Sequence, residues 1–513
     1  MTGERERGRR RSRVRARIAG VLGMMACATP ARAQQTRQVI DLTVERVVEL
    51  GLRDSYRVRQ LVLGIERTRS LLRAQQAGLK SRVEMDLAAP EFESISDYKW
   101  NSTLQKNELV YENTRRWEAE LSIRQPVILL GYPTNGYLSL NNRVYRYRQL
   151  GEENDIQYYN RYFVAYQQPL FQPNRMKNDL ESAELDLERS ELDYRNDVIG
   201  MIDDLTDDYY QLFESAYNRG IAEEFVAHLE EAAQAAQTLA AQDASRAIEV
   251  DQLRVELANA REQVQQAASS FRRQGENIKQ RLRLSPDDSI ALRPVPALDP
   301  VRVDPERAIT LATEMTPRMR RIAIQLRENE IRLDQTKGNN SFRMNIGLTY
   351  GREMQDPQFD RLWREPRNSY TVDLSATIPI WDWGQRRRRI EADEYQIQRT
   401  RLQSEEALSG METNVRNEVR NMEEYEQRAL AMQDNVSLAH GLTTSTLERY
   451  RAGGVTLVEL IQTIDRETNT AKNFLDAYLG YRQALQRLQQ LTFFDFEHDM
   501  PVLDRFTIGV EAQ

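Results

Sequence analysis

The residues able to do chemistry in this chain are few and scattered. Its three histidines, His228, His440 and His498, share no metal-ligand spacing and have no partnered nucleophile nearby in sequence. No glycine-rich phosphate loop or dinucleotide signature is present. The single cysteine, Cys27, lies inside an N-terminal segment with the form of an export signal. That segment has an arginine-rich start, an apolar run over Ile18–Ala26 and an Ala31-Arg32-Ala33 cleavage site. Cleavage after Ala33 leaves no cysteine, which removes disulfides, thiolate metal sites and cysteine nucleophiles together. Cys27 as a lipid anchor is the alternative, although Met24-Met25-Ala26 is a poor lipobox. The carboxylates Asp203-Asp204 and Asp207-Asp208 recur at i,i+4 beside Leu205 and Tyr209, which reads as a wet helix face rather than a cation site. These residues point away from an enzyme, with no cofactor and no metal.

Charge supports export. Residues 1–33 hold nine Arg and two Glu, so removing their +7 from the formal −7 leaves a mature chain near −14. The basic residues belong to the leader, and nothing argues for nucleic acid. No mature stretch approaches 18 consecutive apolar residues, which excludes a transmembrane helix and leaves alternating strands as the route into a membrane.

The elements are written twice. Pro169-Leu170-Phe171 lies 210 residues before Pro379-Ile380-Trp381, and the same offset relates Glu249 to Glu459 and Gln252 to Gln462. Glu45–Leu50 lies against Glu306–Leu311 at an offset of 261. A proline-free stretch from Arg175 to about Ala240, with apolar residues at threes and fours, predicts a helix of roughly 100 Å. Its second copy runs from about Arg386 to Arg451. Each meets a break, Asp243-Ala244-Ser245 or Arg451-Ala452-Gly453-Gly454, and a second helix follows, to about Leu284 or Leu491. These pairs predict antiparallel hairpins. Shorter helices are expected over 43–79 and 304–337.

Strands precede the hairpins. Met344–Tyr350 and Tyr370–Ile380 alternate apolar with small or polar residues, as do Val83–Leu87, Leu121–Ile123, Leu138–Leu140 and Tyr162–Tyr166. The pattern fits a barrel wall with lipid outside and water inside, or a soluble sandwich with one wet face. The fall in offset from 261 to 210 places an insertion of about 50 residues in copy one, between Pro90 and Asp155, as extra barrel strands or a periplasmic hairpin. The domain boundaries that follow are a signal peptide at 1–33, repeat one at 34–290, a linker at 291–303, repeat two at 304–495 and a tail at 496–513.

Two segments carry a resemblance. Pro379-Ile380-Trp381-Asp382-Trp383-Gly384-Gln385-Arg386, with its partner Pro169–Arg175, is similar to the strand-to-helix junction of the TolC-like outer membrane efflux family. Glu448–Leu460 resembles that family's hairpin tip. The resemblance implies an α+β fold in which helical hairpins form a periplasmic tunnel and strands join a shared trimeric barrel. It implies a homotrimer in outer membrane lipid, working as a passive duct with a periplasmic adaptor and an inner-membrane pump. Oligomerisation is also demanded physically, because a few strands cannot close a barrel and an open edge cannot face lipid. A periplasmic adaptor or structural spacer is the rival reading.

By the same resemblance Glu459 and Glu249 would form a cation-selective ring at the closed end, with Gln462 at the family's second acidic position; a solvated helix face is the plain alternative. Arg451, Gly453, Gly454 and Val455, with Asp243 and Ala244, would be adaptor-docking tips. Pro169, Phe171, Pro379, Trp381, Trp383 and Gly384 would form a membrane girdle at the strand–helix junctions, or else cap the sheet against the helices.

Overall fold

The computed structural model describes residues 39–53, 55–149, 155–339 and 341–506. The signal segment, Cys27 and the last seven residues lie outside that set. The chain begins with a short strand β1 (Val39–Asp41) and two helices, α1 (Val44–Arg53) and α2 (Tyr56–Ala77). Strands β2 (Arg82–Asn101), β3 (Lys106–Leu129), β4 (Tyr132–Gln149) and β5 (Ile156–Leu170) lead into the first hairpin, α3 (Arg175–Gln242) and α4 (Ala247–Leu282). After β6 (Ser289–Ala291), the second copy repeats the plan: α5 (Pro305–Met315), α6 (Pro317–Asn339), β7 (Arg343–Asp356) and β8 (Arg367–Thr377). The hairpin of α7 (Gln385–Arg451) and α8 (Leu457–Thr492) and a tail of β9 (Phe494–Asp495), β10 (Met500–Pro501) and α9 (Val502–Arg505) complete it. No described helix is long and apolar enough to cross a membrane.

The hairpins match in length. α3 and α7 have 68 and 67 residues, and α4 and α8 have 36 each. At 1.5 Å per residue the longer arms span about 100 Å. Each short helix packs near the sheet and each return helix packs near the tip, so α2 and α6 flank the first halves of α3 and α7, and α4 and α8 flank the second. The long helices are therefore lined along most of their length, which such helices need for stability.

The two regions expected as single helices are each broken once. Ser55 accepts from the amides of Arg57 and Val58 and starts α2 as an N-cap. Pro317 opens α6, where its missing N–H costs nothing. The helical core is deepest at mid-length. Val47 and Val48 of α1, Val198 and Leu212 of α3 and Ile278 of α4 pack with Phe493, Val502 and Phe506 of the tail. A matching cluster joins Ala308 of α5, Val415 and Met422 of α7, and Tyr481 and Leu488 of α8. β1 and β6 pair in parallel beside the first of these clusters. In the tail, buried Asp495 accepts from the amides of Glu497 and His498, from Gln489 and from Arg505, fastening the chain end to this belt.

Among the described residues one antiparallel sheet of six strands runs in the order β2-β3-β4-β5-β7-β8. The insertion of copy one is thus resolved: it supplies β3 and β4, which enter the same sheet between β2 and β5. The turn joining them is Leu130-Gly131, both with positive φ (52° and 85°), closing Leu129 against Tyr132. This is the two-residue hairpin geometry that glycine at the second position favours. The ladder shifts register between Ala88 and Glu91 and again between Pro126 and Ile128. Each shift contains a proline, which cannot donate to a ladder and is confined to such irregularities inside a sheet.

Candidate functional site

The sheet has two chemically opposite faces. Register places Met85, Leu121, Leu140, Val164, Leu348 and Val372 on one face, one or more from each strand, together with Val83, Leu87, Ile123, Leu138, Tyr350 and Leu374. All are exposed. The opposite face carries Arg116, Glu118, Glu120, Arg143, Arg161 and Glu353. There Arg143 bridges Glu118 and Glu120, Arg161 lies 3.7 Å from Glu353, and the Tyr159 hydroxyl donates to Glu353 at 2.8 Å. Tyr145 stacks on Tyr159 with centroids 4.6 Å apart. The paired charges lie on one side and the exposed apolar groups on the other, which is inverted relative to a soluble sandwich. Such a sheet suits lipid outside and water inside. From Trp117 to Leu129, β3 runs about 40 Å. At a tilt of about 40° that is about 30 Å of height, enough for an apolar band of about 25 Å. β2 and β8 form the two edges, each without a second strand partner among the described residues.

The junction residues stand at the helix end of this band. Trp381 and Trp383 are 74% and 88% exposed and contact each other edge to face at 5.5 Å, so neither packs on the helices. Phe171 is exposed and meets Phe342 at 5.4 Å. Pro379 is exposed, and Pro169 is half-buried at the end of β5. β8 ends at Thr377, so the Ile378–Ile380 stretch expected as strand lies beyond the ladder. Asp382 accepts from the amides of Gly384 and Arg386, both at 2.9 Å, and these bonds hold its carboxyl below the usual range. Gly384 has φ 81° at the start of α7, a conformation that favours glycine. In copy one Asn174 does this work, accepting from Lys177 N at 3.1 Å.

At the far end the two tips pack together. Leu229, Ala232 and Ala236 of α3 and Leu253 of α4 share one cluster with Leu447 and Tyr450 of α7 and Leu460 and Ile464 of α8. Gly453, with φ 73°, donates to Tyr450 O, and Gly454 donates to Arg449 O. This is the Schellman closure with glycine at its left-handed position. The first tip needs no glycine because Asp243 stays extended (φ −139°) and accepts from Ser245 N and Ser245 Oγ. These bonds lower the Asp243 carboxyl, and Ala244 opens a short 3-10 turn. Val455 is only 6% exposed and belongs to the tip cluster, so its side chain is withheld from any docking surface. Arg451 pairs with Glu231 of α3 at 2.7 Å.

The acidic positions separate into two roles. Glu459 and Gln462 are exposed on one face of α8, three residues apart. Thr456 caps that helix by accepting from Glu459 N at 3.2 Å. Glu249 is half-buried and accepts from the Tyr450 hydroxyl at 2.6 Å, tying α4 to α7. Burial and this bond push the Tyr450 phenol up. The symmetry in sequence between Glu249 and Glu459 is therefore not a symmetry of environment.

Residues 318–492 match the family model described as outer membrane efflux protein. Over that third of its length the chain is similar to outer membrane efflux proteins. No curated protein matches it by sequence. Its fold is similar to that of the CmeC outer membrane channel of Campylobacter jejuni, with a TM-score of 0.65 at 12% identity over 91% of this chain and 90% of that one. It is also similar to VceC of Vibrio cholerae, with a TM-score of 0.63 at 9% identity over 88% and 96%. The open-state MtrE channel of Neisseria gonorrhoeae gives 0.56 at 13% identity over 88% of each chain. At these identities the likeness is one of fold. The family match covers helices and strands of the second repeat, the half with the glycine tip.

Within this chain the sequence concealed two groupings. The aspartates are not simply a wet face. Asp203 and Asp207 accept from Gln486 of α8 at 2.6 and 3.0 Å, while Asp204 and Asp208 pair with Arg57 and Arg281. His228 and His440, 212 residues apart in sequence, lie with ring centroids 6.1 Å apart around buried Glu467. Burial pushes the Glu467 carboxyl up, but His228, Thr443 and His440 together bring it to about 2. The only sequence trace was Glu224 and His228 at i,i+4 on one helix face.

Proposed function

We propose that three copies of this chain close an outer membrane duct that carries substrates, delivered by a periplasmic adaptor and an inner-membrane pump, to the exterior. The observation that carries this reading is the exposed apolar face of a six-stranded sheet with two open edges. Neither an open edge nor that face is stable in water, and an open edge is not stable in lipid. Pairing β8 of each copy with β2 of the next removes both edges. Six strands from each of three copies make 18, a size at which barrels enclose an aqueous channel. Trp381, Trp383 and Phe171 would lie at the periplasmic interface of the lipid, where amphipathic rings favour the boundary. Arg386 to Arg389 follow at the start of α7, with Arg388 paired to Glu391.

Glu459 and Gln462 would line the narrow end of the tunnel. Three such carboxylates attract counter-cations, giving cation preference. The exposed tip residues Gly453, Gly454, Asp243 and Ala244, with half-exposed Arg451, would meet the adaptor. Opening would move the second hairpin against the first, because Tyr450–Glu249 and Arg451–Glu231 both cross between them. The duct would add no energy of its own, the pump supplying it.

Purified protein in planar bilayers should give discrete, cation-preferring conductance steps. Cysteines placed on β2 and β8 should cross-link as a three-chain ladder, since the mature sequence has no other thiol. A protein that fractionates as a soluble periplasmic species and gives no conductance would sink this reading and favour the spacer.

A further inference from the structure

We infer that Glu224, His228, His440 and Glu467 form a site for one divalent transition-metal ion that staples the first helical hairpin to the second. Glu224 and His228 come from α3, His440 from α7 and Glu467 from α8, so the four side chains span both halves of the duplicated chain. Each offers one ligand atom, and these atoms all lie within 4.8 Å of one another. A tetrahedral site with bonds of about 2.0–2.1 Å places its donors about 3.3 Å apart. The observed separations straddle that value. His228 Nε2 is 3.4 Å from Glu467 Oε2 and 3.9 Å from Glu224 Oε1, and His440 Nδ1 is 3.5 Å from Glu224 Oε1 and 2.7 Å from Glu467 Oε1.

A second observation separates this grouping from an ordinary ion-pair network. Glu467 is 7% exposed, yet its Oε2 has no hydrogen-bond partner, and neither has the buried Nε2 of His228. The two orphaned atoms face each other without hydrogen-bond geometry. Buried polar groups are nearly always satisfied, and a bound ion is one of the few explanations for a pair that is not. A cation between them would satisfy both at once. The donor set selects its class. Two imidazoles with two carboxylates suit Zn2+ and its first-row neighbours, whereas magnesium and calcium prefer all-oxygen shells. Glu224 and His440 are about half exposed, which gives an ion a way in. The inference rests on these four side chains and not on the duct reading.

The test uses full-length, tag-free protein in detergent, stripped with chelator and titrated with Zn2+ alone. Saturable binding of one Zn2+ per chain is expected, with a rise in melting temperature that chelator reverses. Co2+ in its place should give the visible absorption of a tetrahedral nitrogen–oxygen site. H440Q and E224Q change exposed ligands and should fold; each should weaken binding at least about tenfold, the least that loss of a supporting partner costs such sites. H228Q/H440Q should abolish it. Absence of stoichiometric binding, or binding unchanged in H228Q/H440Q, overturns the inference. Should H228Q/H440Q fail to fold, unchanged affinity in both single exposed variants overturns it equally.

Discussion

The hydroxyl of Tyr450 offers the sharpest test of how the end of the proposed tunnel would be held shut. Tyr450 is fully buried among the tip residues and donates to Glu249 at 2.6 Å, so this bond joins the second hairpin to the first. Substituting Phe removes one oxygen and keeps the ring among Leu447, Leu460 and Ile464. A hydrogen bond to a charged acceptor contributes about 1.5–3 kcal/mol. If the bond exists only in the closed arrangement, Y450F shifts the closed-to-open ratio by about 10–100-fold per copy. E249Q keeps an acceptor but removes its charge, so it should produce about half of that shift in free energy. Open probability of single channels in planar bilayers reads both. Y450F/E249Q should open no more than Y450F alone, because the two substitutions remove one interaction. Thermal denaturation separates this from simple loss of stability. Wild-type open probability in Y450F, accompanied by a lowered melting temperature, would mean that the bond persists in both states and would refute the gate.

The remaining predictions concern the tip, the belt and the barrel wall. G453A should destabilise the second tip by about 1–2 kcal/mol, because alanine resists the left-handed φ of 73°, seen as a lowered melting temperature. G454A should change little, since an added Cβ meets only Arg449 O at 3.4 Å. D203N should raise the melting temperature at pH 7. Burial, with Asp207 adding to it and Gln486 opposing it, lifts the Asp203 carboxyl above its ordinary value, so its contribution is favourable below the unfolded pKa and is lost as pH rises through the folded one. The gain from D203N should therefore shrink on acidification, and an equal gain at pH 4 and pH 7 would contradict the assignment. V372R should oppose barrel assembly by about 2–4 kcal/mol, whereas T371R, one residue away on the polar face, should assemble and alter conductance. Heat-modifiable gel mobility compares the two.

The hairpins were legible because their signals are local and repeated. Absence of proline, apolar residues at threes and fours, and the breaks at Asp243 and Gly453 mark α3, α4, α7 and α8 to within a few residues. The duplication confirmed each copy by the other. What escaped the sequence depends on contacts between distant segments. The alternation at Leu121–Ile123 and Leu138–Leu140 announced strands, but nothing local told a strand that β2 and β5 would part to admit it. His228 and His440 meet only because α3 and α7 pack in one particular rotation about their axes. Val455 follows two exposed glycines and reads as a surface residue, yet the Schellman turn directs it back into the tip cluster. The breaks at Ser55 and Pro317 carried ordinary cap signals that the helical pattern on either side outweighed.

The inserted strands bear on how barrel and tunnel fit each other. At any height each copy presents four helices, α2, α3, α6 and α7 near the sheet and α3, α4, α7 and α8 near the tips. In the proposed trimer three copies would give a ring of twelve, and at about 10 Å between axes such a ring would be about 38 Å across. A barrel strand tilted by about 40° occupies about 6 Å of circumference, from a spacing of about 4.8 Å. Four strands per copy would make a barrel about 24 Å across, narrower than the helices beneath it. Six per copy make one about 36 Å across. In the proposed duct the β3–β4 hairpin would thus bring the barrel to the diameter of the tunnel, letting the chain pass from strand to helix at Phe171 and Trp381 without a step. The tight Leu130-Gly131 turn fits this geometry. It lies at the level of those junctions, where Asn135 and Asn174 bond to Pro173 O and Pro133 O and fasten the extra hairpin to the head of α3. The added strands therefore carry no helix of their own and yet are held in register with α3, which would form part of the tunnel wall in the proposed duct.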